Sequence, residues 1–216
     1  MDTIENVRGS IAAYYASYFN EHGATMEGAA WGSDRDRLHV RWRHIYEIFR
    51  LDPGGSLDRP TVLDVGCSYG GMYAYALERG VRLRYFGVDL VADAVRAAAE
   101  AHPEATFACG DFTSLYPRES FEYVVTCGSF AAKGAAPHRD MHAYWKHVTT
   151  GMFAACTRGI VFNVFTSKVN SFDPDFFYLS PVEALAFCME NLSHKVIIQH
   201  ASGLFDYFVY VYKDSP

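Results

Sequence analysis

The chain has 216 residues, half of them apolar and 20% charged, with a 16% aromatic share and a net charge of -6. That size supports one substantial domain with a real core, and the acidic balance opposes a nonspecific nucleic-acid binder, which needs cations to displace counterions from phosphates. No apolar run reaches membrane-spanning length and no charged-then-apolar leader opens the chain, so a cytoplasmic protein free of the membrane is expected.

Residues 3–21 carry Ile4, Val7, Ile11, Tyr14, Tyr15, Tyr18 and Phe19 at helical spacing, with Gly23 as a stop. The polar, glycine-rich stretch that follows holds Trp31 as its one aromatic residue. A second helix is expected over 34–50, with Leu38, Arg41, Trp42, Ile45 and Phe49 along one side, until Asp52-Pro53-Gly54-Gly55 breaks the chain. From Pro60 strands and helices alternate. Strands are predicted at 61–65, 84–88, 105–108, 121–126 and 159–165, and helices at 70–79, 91–101 and 139–157. The fourth strand follows the turn Pro117-Arg118-Glu119-Ser120. Ser180-Pro181-Val182-Glu183 marks a further helix start, with a capping Ser, Pro in the first turn and Glu three residues after the cap. Residues 195–199 and 206–212 read as two closing strands joined through Ala201-Ser202-Gly203 in a hairpin-like end.

Five β-α units followed by two adjacent strands predict an α/β fold: a Rossmann-like, seven-stranded, mostly parallel sheet with an antiparallel terminal strand. Residues 1–55 form a helical lid segment in this reading and residues 56–216 one compact unit. Five cysteines, no two within four residues of each other, show no zinc-knuckle spacing and read as reduced, packed thiols. His138, His142 and His147 have only Asp140 as a nearby acid, so no metal site is expected.

A parallel sheet binds ligands beyond the carboxyl ends of its strands. The first such end reads Asp64-Val65-Gly66-Cys67-Ser68-Tyr69-Gly70-Gly71, where glycines let the backbone turn sharply and approach a ligand. Asp64 can accept from the turn or from an ammonium group. The second strand ends in Phe86-Gly87-Val88-Asp89, an acid suited to both ribose hydroxyls, with Leu90 beside it to face an adenine. Cys109-Gly110-Asp111-Phe112 follows the third strand, and Cys127-Gly128-Ser129 the fourth.

These pieces, in this order, resemble the class I SAM-dependent methyltransferases, whose first motif is Asp/Glu-x-Gly-x-Gly-x-Gly. Ser68 replaces the middle glycine. The resemblance covers about residues 60–165 well and implies S-adenosylmethionine (SAM) as cofactor, held by Asp64, Gly66, Cys67, Ser68, Gly70, Asp89, Leu90 and Gly128. It also implies that Asp111 accepts from the adenine amino group and Phe112 stacks on the ring, although Asp111 could instead cap the turn that follows it. Nicotinamide dinucleotides fit less well, because the middle glycine of Gly-x-Gly-x-x-Gly is missing and the Cys109–Phe112 segment has no role in reading them. Small methyltransferases fold N-terminal helices over the cofactor. On that pattern Tyr14 and Trp31 face the sulfonium and Arg41 takes the SAM carboxylate, although helical spacing also fits Tyr14 as a core aromatic and Arg41 as a surface charge or a partner of Asp34 or Asp36.

The acceptor side is less defined. His138 and Tyr178 are candidates for a general base, with Asn163 and Lys133 as orienting groups. The 166–179 connection is long and aromatic enough for a substrate lid. No Asn/Asp-Pro-Pro-Tyr/Phe motif follows the fourth strand, which argues against DNA base methylation. The expectation is O- or N-methylation of a small metabolite, a natural-product intermediate, by a monomer or homodimer. A SAM-consuming enzyme that cyclises the aminobutyrate arm to azetidine-2-carboxylate, releasing methylthioadenosine, remains open. So does a non-catalytic SAM-binding module.

Overall fold

The computed structural model describes residues 3–55, 58–118 and 120–214. Two helices lead, α1 (Thr3–His22) and α2 (Arg35–Leu51), followed by β1 (Thr61–Val65), α3 (Gly71–Glu78), β2 (Arg84–Asp89), α4 (Ala92–Ala101) and β3 (Thr106–Cys109). Then come α5 (Phe112–Leu115), β4 (Phe121–Thr126), α6 (His138–Ala155), β5 (Cys156–Thr166) and β6 (Tyr178–Leu179). The chain continues through α7 (Pro181–Asn191), β7 (Val196–Gln199) and β8 (Asp206–Tyr212). Glu119, within the expected turn before β4, lies outside the described residues.

Local chemistry sets the boundaries. α1 ends where Gly23 adopts φ +66° and its N–H returns to the Phe19 carbonyl at 2.7 Å. Asp34 caps α2 by accepting from the Arg37 N–H at 3.0 Å. Ser180 does sit at the cap of α7 with Pro181 following, but its side chain makes no capping hydrogen bond. The four-residue α5 was not anticipated: Asp111 caps it, accepting from the Thr113 N–H and hydroxyl at 3.3 and 2.7 Å.

The strands form one sheet in the order β3-β2-β1-β4-β5-β8-β7, with β6 added beside the end of β5. All neighbours are parallel except β8, which runs antiparallel to both β5 and β7. The sheet is thus α/β and mostly parallel with the chain-terminal strand antiparallel, as expected, and that strand lies inside the sheet, with β7 at the edge. Burial explains this. All seven residues of β8 are buried, while the four of β7 are only half-buried. A strand covered on both faces belongs inside the sheet.

On one face Leu63, Val124, Phe162 and Val209 pack with Met141 and Trp145 of α6 and Cys188 of α7. On the other, Val62, Tyr123, Val161 and Tyr210 pack with Trp42, Ile45 and Ile48 of α2 and Met72 and Tyr75 of α3. Much of the aromatic share is spent here. Tyr210 and Tyr212 donate to the α2 carbonyls of His44 and Ile48 at 2.7 and 2.8 Å, which lets a polar hydroxyl reach into a core helix without an unpaired group. Helix α1 crosses the carboxyl edge of the sheet. Its Phe19 packs on Val91 and Ala94 near β2, and its Arg8 pairs with Asp111 beyond β3 at 2.7 Å.

Candidate functional site

Beneath α1 and α2, at the carboxyl ends of β1, β2 and β4, lies a cavity of about 370 Å³. Its floor is the turn after β1. The N–H groups of Gly66 and Cys67 both donate to the Val88 carbonyl, at 2.8 and 3.2 Å, which binds the turn to β2. Gly66 holds φ +82°, and a Cβ there would collide with the Ser129 hydroxyl. Ser68, at the position of the motif's middle glycine, also adopts a left-handed φ of +47°. Its N–H donates to Asp89 Oδ2 at 2.8 Å. The departure from glycine is therefore accommodated with the turn intact.

Asp89 lines the cavity with both carboxylate oxygens held, Oδ1 by the Val91 N–H at 2.9 Å and Oδ2 by Ser68. Burial raises its pKa, opposed by the N–H groups of Val91, Ser68 and Leu90. Leu90, Val91 and Ala94 continue this wall. Gly128 sits opposite with φ +88°, and a Cβ on it would lie 2.5 Å from the Trp31 indole. The Tyr15 hydroxyl donates to the Gly128 carbonyl at 3.1 Å, and the Gly128 N–H donates to Asn163 Oδ1 at 2.8 Å. The Arg41 guanidinium stacks 5.1 Å over Trp31.

Eight of the thirteen residues expected to hold the cofactor line this cavity: Tyr14, Trp31, Arg41, Gly66, Ser68, Asp89, Leu90 and Gly128. The other five stand behind it. Asp64 points into the α2–α3 face, where Tyr85 donates to it; burial pushes its pKa up to about 7, the Tyr85 bond opposes this, and the Asp89 charge adds to it. Cys67 is buried against Gly87, where a Cβ would meet its sulfur at 2.7 Å, so that glycine serves close backbone approach. Gly70 turns into α3 against His102. Asp111 is committed to capping α5 and to Arg8, and Phe112 is buried below that helix. Neither side chain lines the cavity.

The three expected catalytic residues do not gather at the cavity. The Asn163 amide is buried between Gly128 and Asp206. His138 lies on the surface at the start of α6, 3.0 Å from the Tyr178 carbonyl, and the Tyr178 hydroxyl accepts from the Asp173 N–H at 3.1 Å. Lys133 donates to the Ala136 carbonyl. In their place the cavity presents Tyr15 and Tyr144, Phe165, Phe176 and Phe205, and the polar groups of Asp34, Arg37 and Ser129. Helical spacing did reveal Tyr15, and Tyr144 lies one turn from Met141 and Val148 on the same helix. Phe205 carried no signal, because it lies in the loop before β8 and reaches the site only through sheet order. Burial raises the pKa of the Tyr14, Tyr15 and Tyr144 hydroxyls, so they stay protonated and act as donors.

Residues 62–150 match the model of a methyltransferase domain family. A provisionally named methyltransferase of Mycobacterium tuberculosis is 29% identical over 160 residues, 72% of this chain and 94% of that protein. The fold matches a provisionally named O-methyltransferase of Nostoc punctiforme with a TM-score of 0.62, at 12% identity over 92% of this chain. It matches human N-acetylserotonin methyltransferase, solved with SAM, with a TM-score of 0.64, at 12% identity over 94% of this chain. This chain spans 60% and 59% of those two longer proteins. Residues 62–150 are thus similar to a methyltransferase domain, and the fold is the one that SAM-dependent methyltransferases adopt.

The cavity fits the cofactor of a class I methyltransferase on its own chemistry. Asp89 offers a fixed carboxylate to a diol. Gly66 and Gly128 keep bare backbone where a Cβ has no room. The aromatic faces of Tyr14, Tyr15 and Trp31 suit a sulfonium cation. The chain has no described helix long and apolar enough to cross a membrane, and no described group of three His, Cys, Asp or Glu side chains is placed to hold a metal.

Proposed function

We propose that this chain transfers the methyl group of SAM to an oxygen or nitrogen of a small, flat, largely apolar metabolite, such as a natural-product intermediate. One observation carries this reading: the cavity is lined by Tyr14, Phe165, Phe176 and Phe205, and Phe165, with Phe176 packed on it, comes from β5, three strands along the sheet from Asp89. The charged lining residues are Asp34, Arg37 and Arg41 from the start of α2, and Asp89 at the end of β2. Aromatic walls bind a planar apolar molecule by area and stacking.

Bound SAM supplies an electrophilic methyl on a sulfonium, and its transfer leaves the neutral thioether of S-adenosylhomocysteine. The protein's part is to orient and to exclude water. Tyr14, Trp31, Arg41, Gly66, Ser68, Asp89, Leu90 and Gly128 hold the cofactor in this reading. The protonated tyrosines take no proton from the acceptor. An acceptor that brings its own free lone pair suits them: a phenolate or enolate oxygen, or an aromatic amine that sheds its proton to solvent after transfer.

The test is mass spectrometry of the purified protein with SAM, alone and with a panel of phenols, enols and aromatic amines. S-adenosylhomocysteine appearing with such acceptors is the expected result. Methylthioadenosine formed from SAM alone would replace transfer by cyclisation. Tight SAM binding without turnover across the panel would reduce the chain to a binding module.

A further inference from the structure

Two side chains that do not line the cavity, Asp206 at the head of β8 and Asn163 in β5, are 1% and 3% exposed and are joined to each other. Asp206 receives the fork of Arg41, Nε to Oδ2 at 2.6 Å and Nη2 to Oδ1 at 3.0 Å. The same Oδ2 accepts from Asn163 Nδ2 at 2.7 Å, and Asn163 Oδ1 accepts from the Gly128 N–H at 2.8 Å. Gly128 lies against the Trp31 ring, and Trp31 lies under Arg41. The contacts close a ring: Arg41, Asp206, Asn163, Gly128, Trp31 and back to Arg41. It joins α2, β8, β5 and the end of β4.

Each link is directional. A carboxylate only accepts, so Asp206 can serve two donors, Arg41 and Asn163. An amide donates from one end and accepts at the other, so Asn163 can join an anion to a backbone N–H, and a carboxylate in its place could not. Arg41 and Gly128 both line the cavity, a guanidinium beside a peptide carbonyl. Those two groups complement a carboxylate and an ammonium. The fork of Arg41 is already held in place, so a ligand meets an oriented cation and does not have to order a mobile one.

We propose that Asp206 and Asn163 are positioning residues of the cofactor site, setting Arg41 and the Gly128 peptide to receive the amino-acid end of SAM. This rests on the SAM-binding reading. It adds that recognition of the aminobutyrate arm is controlled from behind the wall, by residues that touch no ligand.

Isothermal titration with S-adenosylhomocysteine and with methylthioadenosine separates the cases, because the second ligand has the same adenosine and lacks the amino-acid arm. In Asp206→Asn the affinity for S-adenosylhomocysteine should fall about tenfold while that for methylthioadenosine changes less than about twofold. Equal losses for both ligands, tracking a lower melting temperature, would make the ring merely structural and overturn the proposal. So would an unchanged or tighter S-adenosylhomocysteine affinity. A wild-type protein that binds neither ligand would overturn the cofactor reading itself and this inference with it.

Asn163→Asp gives a second test should Asp206→Asn not fold. It sets two carboxyls together, faced by Arg41 from α2, Cys127 at the end of β4 and, beyond Cys127, Asp64 in β1. Two adjacent carboxylates raise one pKa, so a proton returns as pH falls and restores a donor between them. S-adenosylhomocysteine affinity relative to wild type should be lost at about pH 8.5 and recover toward about pH 5.5. A ratio that does not change with pH overturns the proposal.

Discussion

Asp64 and Asp89 end neighbouring strands, yet their surroundings send them to different work. Asp64 is 1% exposed, with Tyr85 donating to one oxygen and no partner among the described residues for the other. Burial lifts its pKa from 3.8 to about 7, so between those values the folded chain keeps a proton that the unfolded chain releases. Stability therefore falls as pH rises through that window. Asn in this place imitates the protonated form, so Asp64→Asn should melt higher than wild type at about pH 8, with the gain vanishing toward about pH 4. Thermal melts across that range check this, and an equal gain at every pH would refute the assignment. Asp89 instead has both oxygens fixed and faces the cavity. Asp89→Ala should weaken SAM binding by about 1–3 kcal/mol, by calorimetry, as the cost of polar groups left unpaired. The place of Asp89 on the cavity wall was legible from its position at a strand end after a glycine-rich turn. That of Asp111 was left between two readings, because a carboxylate after β3 can face a ligand or cap a helix. Its partner Arg8, 103 residues away, favours the cap.

Among the elements, the loop ahead of α2 and the end of β4 meet at one point. Gly128 is left-handed and pressed by Trp31, so Gly128→Ala adds both backbone strain and a clash. It should lower the melting temperature and weaken SAM binding, and Trp31→Ala in the same chain should recover part of the lost stability. A double variant no more stable than Gly128→Ala alone would mean that the indole is not what fills the space. Element positions came readily from the sequence, since parallel strands are unbroken apolar runs between helical repeats. Sheet order was less accessible. The apolar run Tyr207-Phe208-Val209-Tyr210-Val211-Tyr212 already has the composition of a strand covered on both faces, whereas hairpin-like adjacency alone does not say which of the two closing strands lies inside. The undetermined order also hid Phe205 and Asp206, which approach the site only when β8 lies against β5.

At the scale of the molecule, residues 1–55 were read as a cover over residues 56–216. Helix α2 does more than cover, since Leu38, Ile45 and Ile48 are at most 1% exposed within the core of one sheet face. Each such side chain contributes about 1.5–3 kcal/mol of burial, a large part of a typical domain's net stability. A fragment of residues 56–216 should therefore bind a hydrophobic dye and melt without a cooperative transition. A sharp melt by calorimetry would show that α2 is detachable after all.

The Arg41–Asp206 pair joins residues 165 positions apart, and Phe205 walls the same cavity. On the ribosome α1 and α2 emerge long before β8 exists to receive them. A partly made chain has the glycine turn and Asp89 but neither the anchor for Arg41 nor the last wall. The order of synthesis therefore leaves this cavity open until residue 206 has been added.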